Sequence, residues 1–584
     1  MKQYVSLIQF GAVARRPTMP GSEWRRRLMV AWLVVLSAAT TRAAGAASPV
    51  FSKDIAPIVF THCAGCHHVG QAAPFPLLSY DQVRKHAKQI VEVTGRRYMP
   101  PWLPAPGYNE FAGDRSLSED QIALIRRWVD GGMARGNEAD EPPAPKFEEG
   151  WTLGKPDLVL TIPQVFHLPA GGKDVYRNLV TPIPTAEHRY VKAVEFLPGN
   201  PRVMHHAFID VDETRRSRRL AARENPPGFD GMELPETVMM PSGQLMGWQP
   251  GKVPTFAAPG LSWGLKTNTD LVLQMHMHPS GKPEEVQPTL GFYWTDIPPT
   301  NAPFRIGLKY FKLNIPPGAT NYAVDASYML PVDVKILRVS THSHYLAKEM
   351  QGFVTLPGGE KKWLIYIKDW DFNWQGDYQY KQPLLLPKGS EIHLHYTFDN
   401  STNNVRNPSA TPGWVRFGPQ TTDEMAELWL QAITRNTEER QILARDYFNE
   451  LGKVTMDFDQ FRLSLDPDNA EALTRLGHDL HVLGRTEEAT SLLSRAVRVK
   501  PDFAKGHYEL GLLFLSSRLM ESAEQEFLTA ARLDPYNAEA RGNLGGIYLQ
   551  SRRIVEARAA FESALKINPD DAVARKYLDL LTRR

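Results

Sequence analysis

The sequence predicts a multidomain chain with a small all-α unit first, then two antiparallel β-sandwiches of jelly-roll-like kind, then an α-solenoid. Three observations predict it. At ~100–200 residues per domain, 584 residues must divide into several cores. Between residues 151 and 432 short alternating runs such as "LVLQMHMH", "FRIGLKYFKL" and "EIHLHYTF" are separated by Pro, Gly and Asn turns, the texture of antiparallel sandwiches. Further on, Pro467, Pro501, Pro535 and Pro569 recur every 34 residues. A 42% hydrophobic fraction, 23% charged residues and a net charge of +2 describe ordinary globular protein and give no electrostatic sign of nucleic-acid binding.

Residues 1–47 read as an export signal. Arg25-Arg26-Arg27 precede the apolar run Leu28–Ala39, and Ala44-Gly45-Ala46 fits the small-residue pattern before a signal-peptidase cut. The run is shorter than the ~20 apolar residues of a membrane helix. Met19 would give a signal of more usual length, so residues 1–18 are expected to lie upstream of the true start. Export predicts a periplasmic or extracellular protein in an oxidising compartment. The only cysteines that could pair there are Cys63 and Cys66.

Residues 49–136 predict the all-α unit. Its last helix is announced by a Ser118/Gln121 capping box, an apolar stripe of Ile122, Leu124, Ile125, Trp128 and Val129, and a Gly131-Gly132 stop. Upstream stands Cys63-Ala64-Gly65-Cys66-His67. Two thiols at this spacing can add to both vinyl groups of a haem, with the following histidine beneath the iron. The segment resembles class I cytochrome c domains. The resemblance implies one covalently bound haem c and a methionine as sixth ligand from a loop before the last helix. Met99 in "RRYMPPW" fits that place. His68 is too close to the proximal turn to serve, and His86 reads as a solvated helix face. Residues 137–150, acidic and proline-rich, predict a linker.

The sandwiches are expected over residues 151–300 and 301–432, with a seam in "WTDIPPTNAP" (294–303). Ten of the chain's 17 histidines fall in this middle region, eight of them in doublets: His205-His206, His276-x-His278, His342-x-His344 and His393-x-His395. Residues two apart on a strand share a face, so each H-x-H offers two imidazoles to one point, whereas adjacent His205 and His206 converge only if the strand bends. Imidazole clusters suit Zn, Cu, Fe or Ni, and spacing does not choose among them.

Four segments in order, "VMHHAFI" (203–209), "LVLQMHMH" (271–278), "THSHYLAKEM" (341–350) and "TTDEMAELWL" (421–430), resemble the copper type II, ascorbate-dependent monooxygenases. That family includes the peptidylglycine and dopamine hydroxylating enzymes, and the resemblance covers about residues 180 to 432. It implies two coppers: an electron-storing one on His205, His206 and His276, and a catalytic, dioxygen-binding one on His342, His344 and Met425. Three imidazoles suit a copper that changes valence, and a thioether favours Cu(I). Apart from the resemblance, Met425 reads as a core residue beside Leu428 and Trp429. Three features depart from the family. Its disulfides cannot form, Ser340 replaces the arginine that grips a peptide carboxylate, and Glu427 and Trp429 replace an asparagine and a tyrosine. His278 matches no family ligand and reads equally as a residue that supports the ligands or as strand surface. His393 and His395 read as a solvated strand face, and His167 and His188 as structural.

After a helical connector, 433–466, residues 467–584 carry Gly477, Gly511 and Gly545 at the same 34-residue period, with Ala489, Ala523 and Ala557, and Ala496, Ala530 and Ala564. Small residues there let paired helices approach, and the period resembles tetratricopeptide repeats. The expected function is an exported copper monooxygenase that hydroxylates a C–H bond of a small molecule with dioxygen. Electrons from an external donor pass through haem c, and the repeats hold a protein partner. The missing substrate residues motivate a second reading, an electron-transfer or copper-handling scaffold. Structural zinc in the histidine sites is a third.

Overall fold

The computed structural model describes residues 48–582 except 70–72, 148–149, 225–227, 233, 236, 242–243, 245–246 and 251. The expected signal at 1–47 lies outside the described residues. Among them no helix is long and apolar enough to cross a membrane.

The N-terminal unit is helical, with helices Ala56–His62, Tyr80–Lys85, Ala87–Gly95 and Glu119–Asp130 around a core that includes Phe51, Ile55, Val59, Ile125 and Trp128. The last helix begins as its sequence dictates: Ser118 Oγ accepts the Gln121 N–H, and the Gln121 side chain accepts the Ser118 N–H. Ile122, Ile125 and Trp128 are its buried face. A long loop beyond Tyr98 leaves this unit and lies on the second β domain. Pro104 bridges to Ile367 and Phe111 to Tyr380, and Asn109 Nδ2 donates to the Trp363 carbonyl at 2.7 Å.

Two β domains follow, antiparallel in every strand pairing. In the first, a four-stranded sheet (Leu158–Thr161, Thr289–Thr295, Arg189–Leu197, Trp263–Leu265) shares one apolar core with a larger sheet. At the centre of the larger sheet Asp270–Met277 runs between Val175–Pro182 and Met204–Asp212, buried on both faces. In the second domain the sheet Phe304–Lys309, Glu427–Ile433, Val334–His342, Asp377–Leu386 shares its core with the sheet Tyr322–Met329, Glu391–Phe398, Ala347–Thr355, Lys361–Ile367. The first domain's last main strand ends at Thr295 and the second's first begins at Phe304, on either side of the proline-rich loop. Across the seam Lys252 Nζ meets the buried Asp377 carboxylate at 2.6 Å, while Arg338 on the strand beside Asp377 meets the same carboxylate at 2.5 Å and donates across the seam to Thr255. A cavity of about 240 Å³ lies here, lined by Trp248, Phe256, Trp263, Arg338 and Gln379 among others.

A 29-residue helix, Thr437–Leu465, leads into helices Ala470–Val482, Thr486–Val499, Ala504–Ser516, Met520–Leu533, Ala538–Gln550, Ile554–Ile567 and Ala572–Thr582. The periodic glycines sit where helices touch. A Cβ at Gly477 would fall 2.7 Å from Leu493, one at Gly511 2.8 Å from Phe527, and one at Gly545 2.7 Å from Phe561. Ala489, Ala523, Ala557, Ala496, Ala530 and Ala564 are fully buried, so the periodicity is that of a packed seam.

Candidate metal and haem sites

His205, His206 and His276 come together on two neighbouring strands of the first β domain. His276 pairs with His206 and Met277 with Met204, which leaves His205 as an extra, bulged residue. The bulge is the bend that adjacent histidines require, and it turns both imidazoles to one side. Their Nδ1 atoms face each other at 3.0 Å. One ring nitrogen from each of the three residues lies within 4.8 Å of the others, close enough for a single ion to join them. Burial, and then the neighbouring imidazoles, hold His205 and His206 well below the ordinary histidine range. His276 is brought down to about 4, by burial first. Neutral imidazoles are the form that binds metal.

Asp174, in the polar turn before the strand Val175–Pro182, was not singled out by the sequence. Its carboxylate accepts from His276 Nε2 at 3.2 Å and from His278 Nδ1 at 2.6 Å. Burial alone would raise its pKa, but hydrogen bonds from His276, His278 and Thr421 together outweigh burial and hold it well below the usual carboxylate range. The Tyr176 ring stacks on His276 at 4.2 Å. His278 is therefore no free strand surface. It is packed against the rings of His205 and His276, at 4.9 and 4.8 Å.

In the second β domain His342 ends a strand and His344 follows in the turn, their rings 5.3 Å apart. The strand pairing ends with His342 opposite Glu427, and beyond it the backbones of His344 and Met425 are brought together by hydrogen bonds to one carboxylate. Glu424 fixes this turn, although no sequence signal marked it. Its buried carboxylate takes the N–H groups of His344, Leu346 (2.9 Å) and Met425 (2.8 Å) and the Ser343 hydroxyl (2.7 Å). Ser343 Oγ also reaches the Met425 carbonyl at 2.6 Å. His342 Nδ1 donates to Gln375 Oε1 at 2.6 Å and His344 Nδ1 to the Asp423 carbonyl at 3.0 Å, so both rings keep Nε2 as the acceptor nitrogen. The short turn Phe372–Trp374 joins the two histidine sets: the Phe372 ring stacks on His205 at 4.2 Å and lies 5.4 Å from His344.

His393 and His395 are elsewhere, against Phe353 and Asp325 on a different sheet. His167 is exposed beside Glu285, and His188 packs on Tyr190. None joins the clusters.

In the helical unit Cys63 closes the helix Ala56–His62, and the turn continues with the His67 N–H on the Cys63 carbonyl at 3.0 Å. Both thiols are free, and burial pushes the Cys63 thiol up to about 12. His67 Nδ1 donates to the Phe75 carbonyl at 2.9 Å, which leaves Nε2 for a ligand, the arrangement a proximal histidine needs. Arg115 ties the motif to the methionine loop, with Nη1 on Cys66 Sγ at 3.5 Å and Nη2 on the Pro101 carbonyl at 3.4 Å, two residues past Met99. The residues fit a covalently held haem. His86 is not on a solvated face as the sequence suggested. Its ring lies on Phe75 at 3.7 Å, drawn in because it sits between two helices packed around the motif. His68 stacks on Phe147 at 3.7 Å.

The C-terminal array is an α-solenoid of helix hairpins repeating every 34 residues. These hairpins are tetratricopeptide repeats, for family models of that repeat match residues 474–538 and 515–579. A peroxisomal targeting signal receptor of Candida albicans is 32% identical over 83 residues, which is 14% of this chain and 14% of that protein, so the chain spans only a small part of the relative's length. A crystal structure of MamA is 22% identical over 26% of this chain and 85% of that one, with a TM-score of 0.22. YrrB, a TPR protein with an unusual peptide-binding site, is 23% identical over 23% and 68%, with a TM-score of 0.21.

Proposed function

We propose that this chain is an exported, copper-dependent monooxygenase that hydroxylates a C–H bond of a small molecule, with a covalently bound haem c as its electron source. One observation carries the reading. Two largely buried histidine sets, one from each β domain, approach the single ring of Phe372, and burial keeps the imidazoles of each neutral. His205, His206 and His276 would hold one copper, and His342, His344 and Met425 the other. Bound copper would supply one-electron chemistry with dioxygen, for a net reaction of R–H + O₂ + 2 e⁻ + 2 H⁺ giving R–OH + H₂O. Cys63, Cys66 and His67 would hold the haem, and Met99 would complete its iron.

The chain's own residues orient these groups. Asp174, Gln375 and the Asp423 carbonyl set the tautomers, and Glu424 fixes the turn that carries His344 and Met425. The loop that carries Met99 bears on the same region, with Tyr98 edge-on to Trp374 at 5.3 Å, two residues from Phe372. The tetratricopeptide repeats would dock a protein partner, as such repeats generally do.

The second reading, an electron-transfer or copper-handling scaffold, draws on the cavity at the seam, which none of the six proposed copper ligands lines. Oxygen uptake by the reduced, copper-loaded protein across a panel of aliphatic and aromatic substrates separates the two: substrate-dependent uptake with a hydroxylated product is expected, and uptake indifferent to every substrate favours the scaffold. Anaerobic reductive titration through the haem should also abolish the Cu(II) resonance once one electron per copper has passed; a Cu(II) signal that persists beside fully reduced haem contradicts the electron route.

A further inference from the structure

His276 and His278 are left in an unusual state by their shared carboxylate. Asp174 occupies Nε2 of His276 and Nδ1 of His278. The remaining nitrogens, His276 Nδ1 and His278 Nε2, are buried and have no hydrogen-bond partner among the described residues. A buried imidazole nitrogen without a partner loses its hydration with nothing in exchange, so such atoms call for an explanation. Each belongs to a ring about 5 Å from His205, at 5.0 Å for His276 and 4.9 Å for His278. Imidazoles bound to one ion through nitrogens ~2.0 Å from it have their ring centres about that far apart. The ring centres of His205, His276 and His278 are thus spaced as those of His205, His206 and His276 are, at 4.8–5.1 Å, although it is the latter trio that brings a nitrogen from each residue within 4.8 Å.

We infer that His278 is a fourth imidazole of the first metal centre, offering Nε2 to the ion, and that Asp174 is the positioning residue that orients His276 and His278 together. The inference rests on the copper reading above and extends it. Three imidazoles leave Cu(II) short of the four ligands its tetragonal preference asks for, and His278 supplies the fourth from within the protein. Its backbone suits the role: the strand Asp270–Met277 ends one residue earlier, and the His278 N–H is anchored on the Val203 carbonyl at 2.9 Å, across from the His205 bulge. A carboxylate that fixes one tautomer on two ligands at once also raises the donor strength of both.

A competing arrangement uses the same residues, because Asp174, His276 and His278 themselves could grip an ion. An ion that took the two nitrogens now hydrogen-bonded to Asp174 would leave His276 Nδ1 and His278 Nε2 still without partners, which argues against it.

The test uses full-length, haem-loaded protein titrated with copper, comparing the wild type with His278→Gln, Asp174→Asn and, as a control histidine–carboxylate pair outside the cluster, His395→Gln. The readouts are copper per haem, Cu(I) affinity by competition with a chromophoric chelator, and the Cu(II) resonance. His278→Gln should weaken one of the two copper sites about 10–100-fold and change the hyperfine pattern of that Cu(II), with Asp174→Asn acting in the same direction and His395→Gln silent. Wild-type affinity and spectrum in His278→Gln overturn the inference while leaving the copper reading intact. A third copper equivalent, lost in both Asp174→Asn and His278→Gln with the other two unchanged, also overturns it in favour of a carboxylate-held ion. A wild type that binds no copper overturns the copper reading itself. Should His278→Gln misfold by circular dichroism, Asp174→Asn decides alone: an unchanged Cu(II) spectrum there counts against the inference.

Discussion

Glu424 shows how much can depend on one side chain that the sequence leaves unmarked. Its pKa is raised by burial, yet it accepts three backbone N–H groups and a hydroxyl from the turn carrying His344 and Met425. Glu424→Gln keeps the shape but puts an amide where acceptors are needed, and a buried unsatisfied group costs about 1–3 kcal/mol. The urea midpoint of the second β domain should fall accordingly, and copper at that centre should be lost while the His205 centre keeps its own. Loss of both coppers together would mean that the two sites do not load independently. The histidine doublets stood out because period two on a strand is a strict geometric rule. Yet His278 and His344 fall just past their strands' ends and His205 needs its bulge, so the rule located the pairs without fixing their geometry. Asp174, Gln375 and Glu424 were not legible, for each acts from a turn distant in sequence and a lone polar residue in a turn has no period. His278 fell between: its pattern was visible, but only the three-dimensional position of Asp174 distinguishes it from strand surface.

At the scale of elements the repeats read most plainly. Small residues every 34 positions can only mean a packed seam repeated, and helices starting at Ala470, Ala504, Ala538 and Ala572 follow. Gly511→Ala places a methyl 2.8 Å from the Phe527 ring, and overpacking of about 1–3 kcal/mol outweighs the ~1 kcal/mol that alanine gains over glycine in a helix. Gly542→Ala meets open space and keeps that gain. The helical melting transition should therefore fall in the first variant and rise in the second; two shifts of the same sign would contradict the packing. Strand existence was equally legible in the β domains, because buried faces impose alternation. The pairing order was not, since antiparallel neighbours such as Asp270–Met277 and Val175–Pro182 are brought together from far along the chain.

Over the whole molecule the contacts between domains were beyond sequence reasoning, because they are made by isolated side chains. Asp377 is the clearest. Burial would raise its carboxyl, but Lys252 and Arg338 bring it down to about 2. The unfolded chain holds such a carboxyl near ~3.9, so this contribution is complete above pH ~4, declines as the pH falls through the interval down to about 2, and is absent below it. It amounts to about 2 kcal/mol, and tryptophan fluorescence on acid titration should show Asp377→Asn less stable at neutral pH and flatter than the wild type between pH ~4 and 2. Equal slopes would remove Asp377 from the interface account. The repeats also touch the first β domain, Arg216 meeting Glu539 at 3.4 Å, Arg219 meeting Asp570 at 3.3 Å and Arg223 lying over Tyr536 at 4.0 Å. Exposed pairs of this kind contribute little each and weaken with salt.

All of these scales meet in one quantity, the metal content of the full chain matured with haem and purified without added metal. Two coppers for each haem iron are predicted, from two histidine sets and one cysteine–histidine turn. Zinc in place of copper, or iron with no copper at all, would contradict the account.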